Sequence, residues 1–138
     1  MKVFNLDGTP KAGFTQPYLP FGAAYRDGVE INVGDIDGDG DDDLVAAKSR
    51  GPGEVQVAKS SGTAFSAFKS FTAFGGTYRG GATAAIGSYD AGSNTAAIVV
   101  ASGPGMKPTV KNYTLNATSG ALALASQFNP VVPADLVI

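Results

Sequence analysis

The chain has 138 residues, of which 43% are apolar and 16% charged, with 19 glycines and no cysteine, histidine or tryptophan. The length suffices for one modest domain with its own core, in a globular composition; disulfides and thiolate or imidazole ligation are excluded. The net charge is −2 and the basic residues are scattered, so there is no nucleic-acid footprint, and no apolar run is long enough for a membrane-spanning helix.

Residues 1–24 open with KVFNLDGT, which resembles VQVAKSSGT and VKNYTLNATSG further along, and they read as the second half of a repeating unit. A full unit starts at Tyr25 and recurs at Tyr78. Tyr25-Arg26-Asp27-Gly28 returns as Tyr78-Arg79-Gly80-Gly81, and Val33-Gly34 as Ile86-Gly87, each 53 residues later. Leu44-Val45-Ala46-Ala47 has a counterpart in Ile98-Val99-Val100-Ala101, Gly51-Pro52-Gly53 in Gly103-Pro104-Gly105, and Phe21 in Phe74 and Phe128. The units therefore run 1–24, 25–77, 78–130 and 131–138, the last (VVPADLVI) being the start of a further copy.

Within 25–77, strands are predicted near Val29–Val33, Leu44–Ala47, Glu54–Lys59 and Ala67–Phe74, separated by GDIDGDGDD, SRGPG and SSGT, all with turn chemistry. No segment sustains a helical apolar period. Four antiparallel strands per unit at this repeat length predict an all-β fold of propeller blades.

The loop between the first two strands, VGDIDGDGDDDLVAA, holds six of the twelve acidic residues within nine positions. Asp35, Asp37 and Asp39 alternate, Gly40 follows, and Asp43 opens the next strand. Carboxylates this close repel one another unless a cation sits among them. Calcium takes six to eight oxygens in irregular geometry, whereas magnesium demands a strict octahedron. Asp35, Asp37, Asp39, the Asp41 carbonyl and Asp43 are the predicted ligands, with Gly40 letting the chain curl. An EF-hand or dockerin loop would place an acid at position twelve, where Ala46 stands, so neither fits. The alternative is a solvated acidic turn. In the second unit the corresponding loop, SYDAGSNTA, keeps only Asp90, with Ser88, Gly92 and Ala97 at the other positions, and is predicted to hold no metal.

Catalysis is not expected. The remaining carboxylates, Asp7, Asp27, Glu30, Glu54, Asp90 and Asp135, have no motif around them, and nucleophile–base arrangements built on His or Cys are closed. Tyr18, Tyr25, Tyr78, Tyr89 and Tyr113 could form a sugar platform, although the repetition of Tyr25 as Tyr78 favours packing. Asn112 and Asn116 begin glycosylation sequons.

With these residues in view, the chain resembles the FG-GAP repeats of integrin-alpha-like β-propellers. The carrying segments are VGDIDGDGDDDLVAA, FTAFGGTYRGG and the paired GPG turns. The resemblance implies blades closed into a ring, structural calcium on Asp35, Asp37, Asp39, Asp41 and Asp43, secreted or cell-surface placement, and a binding role in adhesion or protein–protein contact, with a glycan-binding lectin as the alternative. A closed ring needs six or seven blades, on the order of 300 residues at this period. The chain is therefore expected to be part of a longer protein or to complete a ring as a homo-oligomer, a dimer being favoured.

Overall fold

The computed structural model describes residues 1–14 and 16–130; the further unit expected at 131–138, and Asp135 with it, lies outside them. Eight strands follow in order: β1 Val29–Gly34, β2 Asp43–Lys48, β3 Glu54–Ser60, β4 Phe65–Thr72, β5 Ala82–Asp90, β6 Thr95–Ser102, β7 Val110–Asn116 and β8 Leu122–Phe128. They form two four-stranded antiparallel sheets, β1-β2-β3-β4 and β5-β6-β7-β8, each strand beside its sequence neighbour. Such meanders need only short turns, which the Gly- and Ser-rich connections supply.

Alternation along the strands decides which side chains face which layer. Val45 and Ala47 of β2, with Val55 and Val57 of β3, point inward and meet Ala84, Ile98, Val100 and Leu115 of the second sheet in one core. β5 lies against β1, β2 and β3, and the Phe71 ring of the first sheet meets Tyr113 of the second at 4.9 Å between centroids. Val57, Ile98 and Leu115 are wholly buried, each worth about 1.5–3 kcal/mol in transfer terms.

The opposite face of β2 is buried too: Leu44 and Ala46 are inaccessible to solvent. Phe14, Tyr18, Phe21 and Tyr25 of the N-terminal segment lie over that face. Phe14 and Tyr18 pack on Phe65, Tyr18 donates a hydrogen bond to Gln56, and Lys48 stands over the Phe21 and Tyr25 rings. Burial from both sides explains why β2 reads as an unbroken apolar run instead of an alternation. In residues 1–14 and 16–24, extended pairing is limited to the single bridge Phe4–Pro10.

This architecture corrects the expected fold. The protein is all-β, but the two sheets pack on each other as layers, and neither sheet closes or curls; they are not blades set radially in a ring. The resemblance to FG-GAP propellers therefore fails at the level of architecture. The reason is physical. A four-strand repeat with short turns specifies a meander, and meanders serve layered folds as well as rings. The inward faces are rich in Ala and Val, and flat sheets with small side chains stack closely.

Main-chain contacts tie the two sheets at one end. Gly51 N–H donates to Arg79 C=O at 3.0 Å, Gly81 N–H to Gly51 C=O at 3.0 Å, and Gly103 N–H to Gly81 C=O at 3.2 Å. The repeated RGG and GPG segments thus meet one another. Gly81 is required there: its φ is +73°, and a Cβ would stand 2.2 Å from the Ser49 carbonyl oxygen.

Candidate metal centre

The acidic loop joins β1 to β2 at the end of the first sheet opposite the glycine contacts. Its curl is built from aspartates bonding to main-chain N–H groups just ahead of them, the Asx geometry that short acidic side chains favour. One oxygen of Asp35 accepts from Asp37 N–H at 3.1 Å and Gly38 N–H at 2.6 Å, and the other accepts from Gly40 N–H at 3.0 Å. Asp37 accepts from Asp39 N–H at 3.3 Å, and Asp39 from Asp41 N–H at 2.9 Å. Gly38 and Gly40, at φ +78° and +92°, make the reversals. Ile36, between the first two acids, turns the other way and is fully buried, anchoring the loop to the core.

One carboxylate oxygen from each of Asp35, Asp37 and Asp39 lies within 4.8 Å of the others. Three hard oxygens at this spacing can coordinate a divalent cation. Asp43 sits beneath, inaccessible to solvent. Its Oδ2 accepts from Ile36 N–H at 2.9 Å and its Oδ1 from Ser60 N–H at 2.8 Å, so it clamps the loop to β3. The Asp41 side chain lies beside Gly62.

The charges feel these surroundings differently. Burial raises the Asp43 carboxyl above the usual range; the N–H groups of Ile36 and Ser60 oppose that, while the nearby charges of Asp37 and Asp39 reinforce it. For Asp35, partial burial acts upward but is outweighed by the N–H donors of Gly40, Gly38, Asp37 and Asp39, which hold the carboxyl below its ordinary value.

Two participants were not legible in the sequence. Lys59, from β3, places its ammonium 3.1 Å from Asp37 Oδ2, over the Phe68 ring and within hydrogen-bond reach of Ala117 C=O. It supplies a fixed positive charge at the edge of the cluster. Tyr89, from the second unit, packs its ring against Gly38, where a Cβ would stand 2.7 Å from Tyr89 Cε1; its hydroxyl donates to Asn94 at 2.8 Å. Only the register of β3 and the stacking of β5 on the first sheet bring these two residues to the loop.

The other candidates are dispersed. Asp7 is held by Thr9 in an exposed turn, Glu54 pairs with Lys48 at 2.8 Å, and Asp27 and Glu30 are exposed. Asp90 closes the β5–β6 turn through Gly92 N–H and Ser93 Oγ. The tyrosines do not share a platform: Tyr113 is in the core, Tyr78 meets Phe74 edge-on and donates to Gly81 C=O, and Tyr25 meets Phe21 edge-on. Asn112 donates to Ser126, and Asn116 accepts from Thr118 and Ser119 N–H.

Among the described residues, no helix is long and apolar enough to cross a membrane. Compared with known protein families, curated proteins and solved structures, the chain matches none. The reading as a calcium-binding propeller module for adhesion, or as a lectin of that architecture, is corrected accordingly: the ring whose rim would carry such contacts is not formed.

Proposed function

We propose that the Asp35–Asp43 loop binds calcium and that the chain is a cation-stabilised two-sheet β module with a structural, non-catalytic role. The observation that carries this reading is the convergence of Asp35, Asp37 and Asp39 oxygens within 4.8 Å on a loop already curled by its own N–H groups. Calcium suits it better than magnesium because the donors are carboxylates in an irregular arrangement, with room for main-chain oxygen and water to complete the shell. Three side-chain donors beside a resident lysine place the affinity near the weak end of protein sites, about 10⁻⁴–10⁻³ M, the range of extracellular modules. A secreted or surface location, where calcium is plentiful, agrees with that affinity.

Thermal melts in chelator, calcium, magnesium and matched ionic strength test the reading. Calcium is expected to raise the melting temperature by several degrees, magnesium less, and sodium chloride little. Asp37→Ala is expected to remove the calcium response. A response to ionic strength that equals the response to calcium would reduce the loop to a solvated acidic turn.

A further inference from the structure

Asp7, Asp27, Asp37 and Asp39 each precede a glycine. In such a pair the glycine nitrogen can attack Cγ of the aspartate. The N–Cγ bond forms, the amide proton and the carboxyl hydroxyl leave as water, and a succinimide results. Water then reopens the ring. Opening at Cγ restores aspartate; opening at the main-chain carbonyl gives isoaspartate, with the chain routed through the former side chain. Neither oxidant nor reductant takes part. Glycine favours the attack because no side chain shields its nitrogen. A carboxylate held by donors, or an amide held by an acceptor, must first break those bonds, so reaction there waits on local opening.

Three of these pairs are held at both ends. Asp7 accepts from Thr9 N–H at 2.9 Å and from the Thr9 hydroxyl at 2.6 Å, while Gly8 N–H donates to Asn5 C=O at 3.0 Å. Asp37 accepts from Asp39 N–H and pairs with Lys59, while Gly38 N–H donates to Asp35 Oδ1. Asp39 accepts from Asp41 N–H, and Gly40 N–H donates to Asp35 Oδ2. Asp27-Gly28 differs. Both residues are exposed. Among the described residues the Asp27 carboxylate has neither an ion pair nor a hydrogen-bond donor, and Gly28 N–H has no acceptor. The neighbouring Arg26 guanidinium is turned to the Ala23 and Tyr25 carbonyls instead. In the same place the second unit has Gly80-Gly81, which has no carboxyl to close on.

We propose that Asp27 is a site of spontaneous isoaspartate formation, the one pair of the four that reacts in the folded chain without local opening. The product adds a methylene to the main chain just ahead of β1. It falls beside the Gly28 C=O that accepts from Ser49 N–H at 3.1 Å, next to Val29 and Lys48, the pair that ends the β1–β2 ladder. The proposal is independent of the metal.

The test is to age the full chain at neutral pH in chelator, so that no metal adds protection, with a parallel sample in urea. Mass spectrometry with electron-transfer fragmentation then separates isoaspartate from aspartate residue by residue. In the folded chain isoaspartate is expected at Asp27 at least several-fold faster than at Asp7, Asp37 or Asp39; in urea the four are expected to react at comparable rates. Asp35→Ala frees the N–H groups of Gly38 and Gly40 and is expected to raise Asp37 and Asp39 toward the rate of Asp27, with circular dichroism confirming the fold. Equal rates at all four sites in the folded wild-type chain overturn the proposal. So does an Asp27 that reacts in urea but stays unmodified when folded, or an Asp35→Ala variant in which Asp37 and Asp39 react no faster, since bonding of the N–H group would then not be what protects.

Discussion

Asp43 and Lys59 show how single residues tune the acidic loop. Asp43 is buried with both oxygens accepting from main-chain N–H groups, one in the loop and one in β3. Asp43→Ala leaves the buried Ile36 N–H and the partly buried Ser60 N–H unpaired, and a loss of about 2 kcal/mol is expected in chemical denaturation, with chelator present so that metal binding does not contribute. Lys59 offers a cation to Asp37 in the place a bound ion would neutralise. Lys59→Met keeps much of the apolar stem on Phe68 and removes the charge. Its metal-free form is expected to melt lower, and calcium is expected to bind a few-fold tighter by calorimetry, in keeping with about 0.2–1 kcal/mol for a partly exposed ion pair. A weaker calcium affinity in this variant would show that Lys59 positions the loop instead of competing with the ion.

At the scale of elements, the two β-hairpins that open the sheets differ toward their turns: β1 and β2 pair without interruption, whereas β5 and β6 shift register between Ile86 and Tyr89. β1–β2 closes through an aspartate ladder, whereas β5–β6 closes through Asp90, Ser93 and Asn94, the last at φ +53°. Hydrogen bonds from the Ser93 hydroxyl and Gly92 N–H hold the Asp90 carboxyl below its ordinary value. A lowered native pKa contributes stability that is present above the unfolded-state value and disappears as pH falls through the native one. Asp90→Ala is therefore expected to melt slightly below wild type at neutral pH, the difference vanishing as pH drops below about 4. The glycine segments that join the sheets admit less change. Gly81→Ala combines a left-handed backbone with a Cβ 2.2 Å from the Ser49 oxygen, and an expected cost of more than about 2 kcal/mol follows from strain plus main-chain displacement. The repetition of Tyr-Arg-x-Gly and Gly-Pro-Gly was visible in the sequence. That these segments bond to one another across the sheets was not, because spacing along the chain says nothing about which turns meet.

Over the whole molecule, the shared core makes the two sheets a single cooperative unit. Ile98 is fully buried among residues of both, so Ile98→Ala is expected to cost about 2–5 kcal/mol and to lower one common transition followed by circular dichroism and tyrosine fluorescence. Two separate transitions would mean that the sheets fold independently. The strands themselves were largely readable: β1, β2 and β3 lie within one residue of the limits read from apolar runs and turn residues, while β4 begins and ends two residues earlier, at Phe65–Thr72. The acidic cluster was equally plain. By itself the sequence determined the strands, their meander order and the convergence of Asp35, Asp37 and Asp39, because these depend on alternation, turn chemistry and spacing over a few residues. Only the tertiary structure decided that the sheets stack as layers and that Lys59 and Tyr89 reach the loop, because those depend on which faces bury each other, a choice among surfaces of similar apolarity that local pattern leaves open.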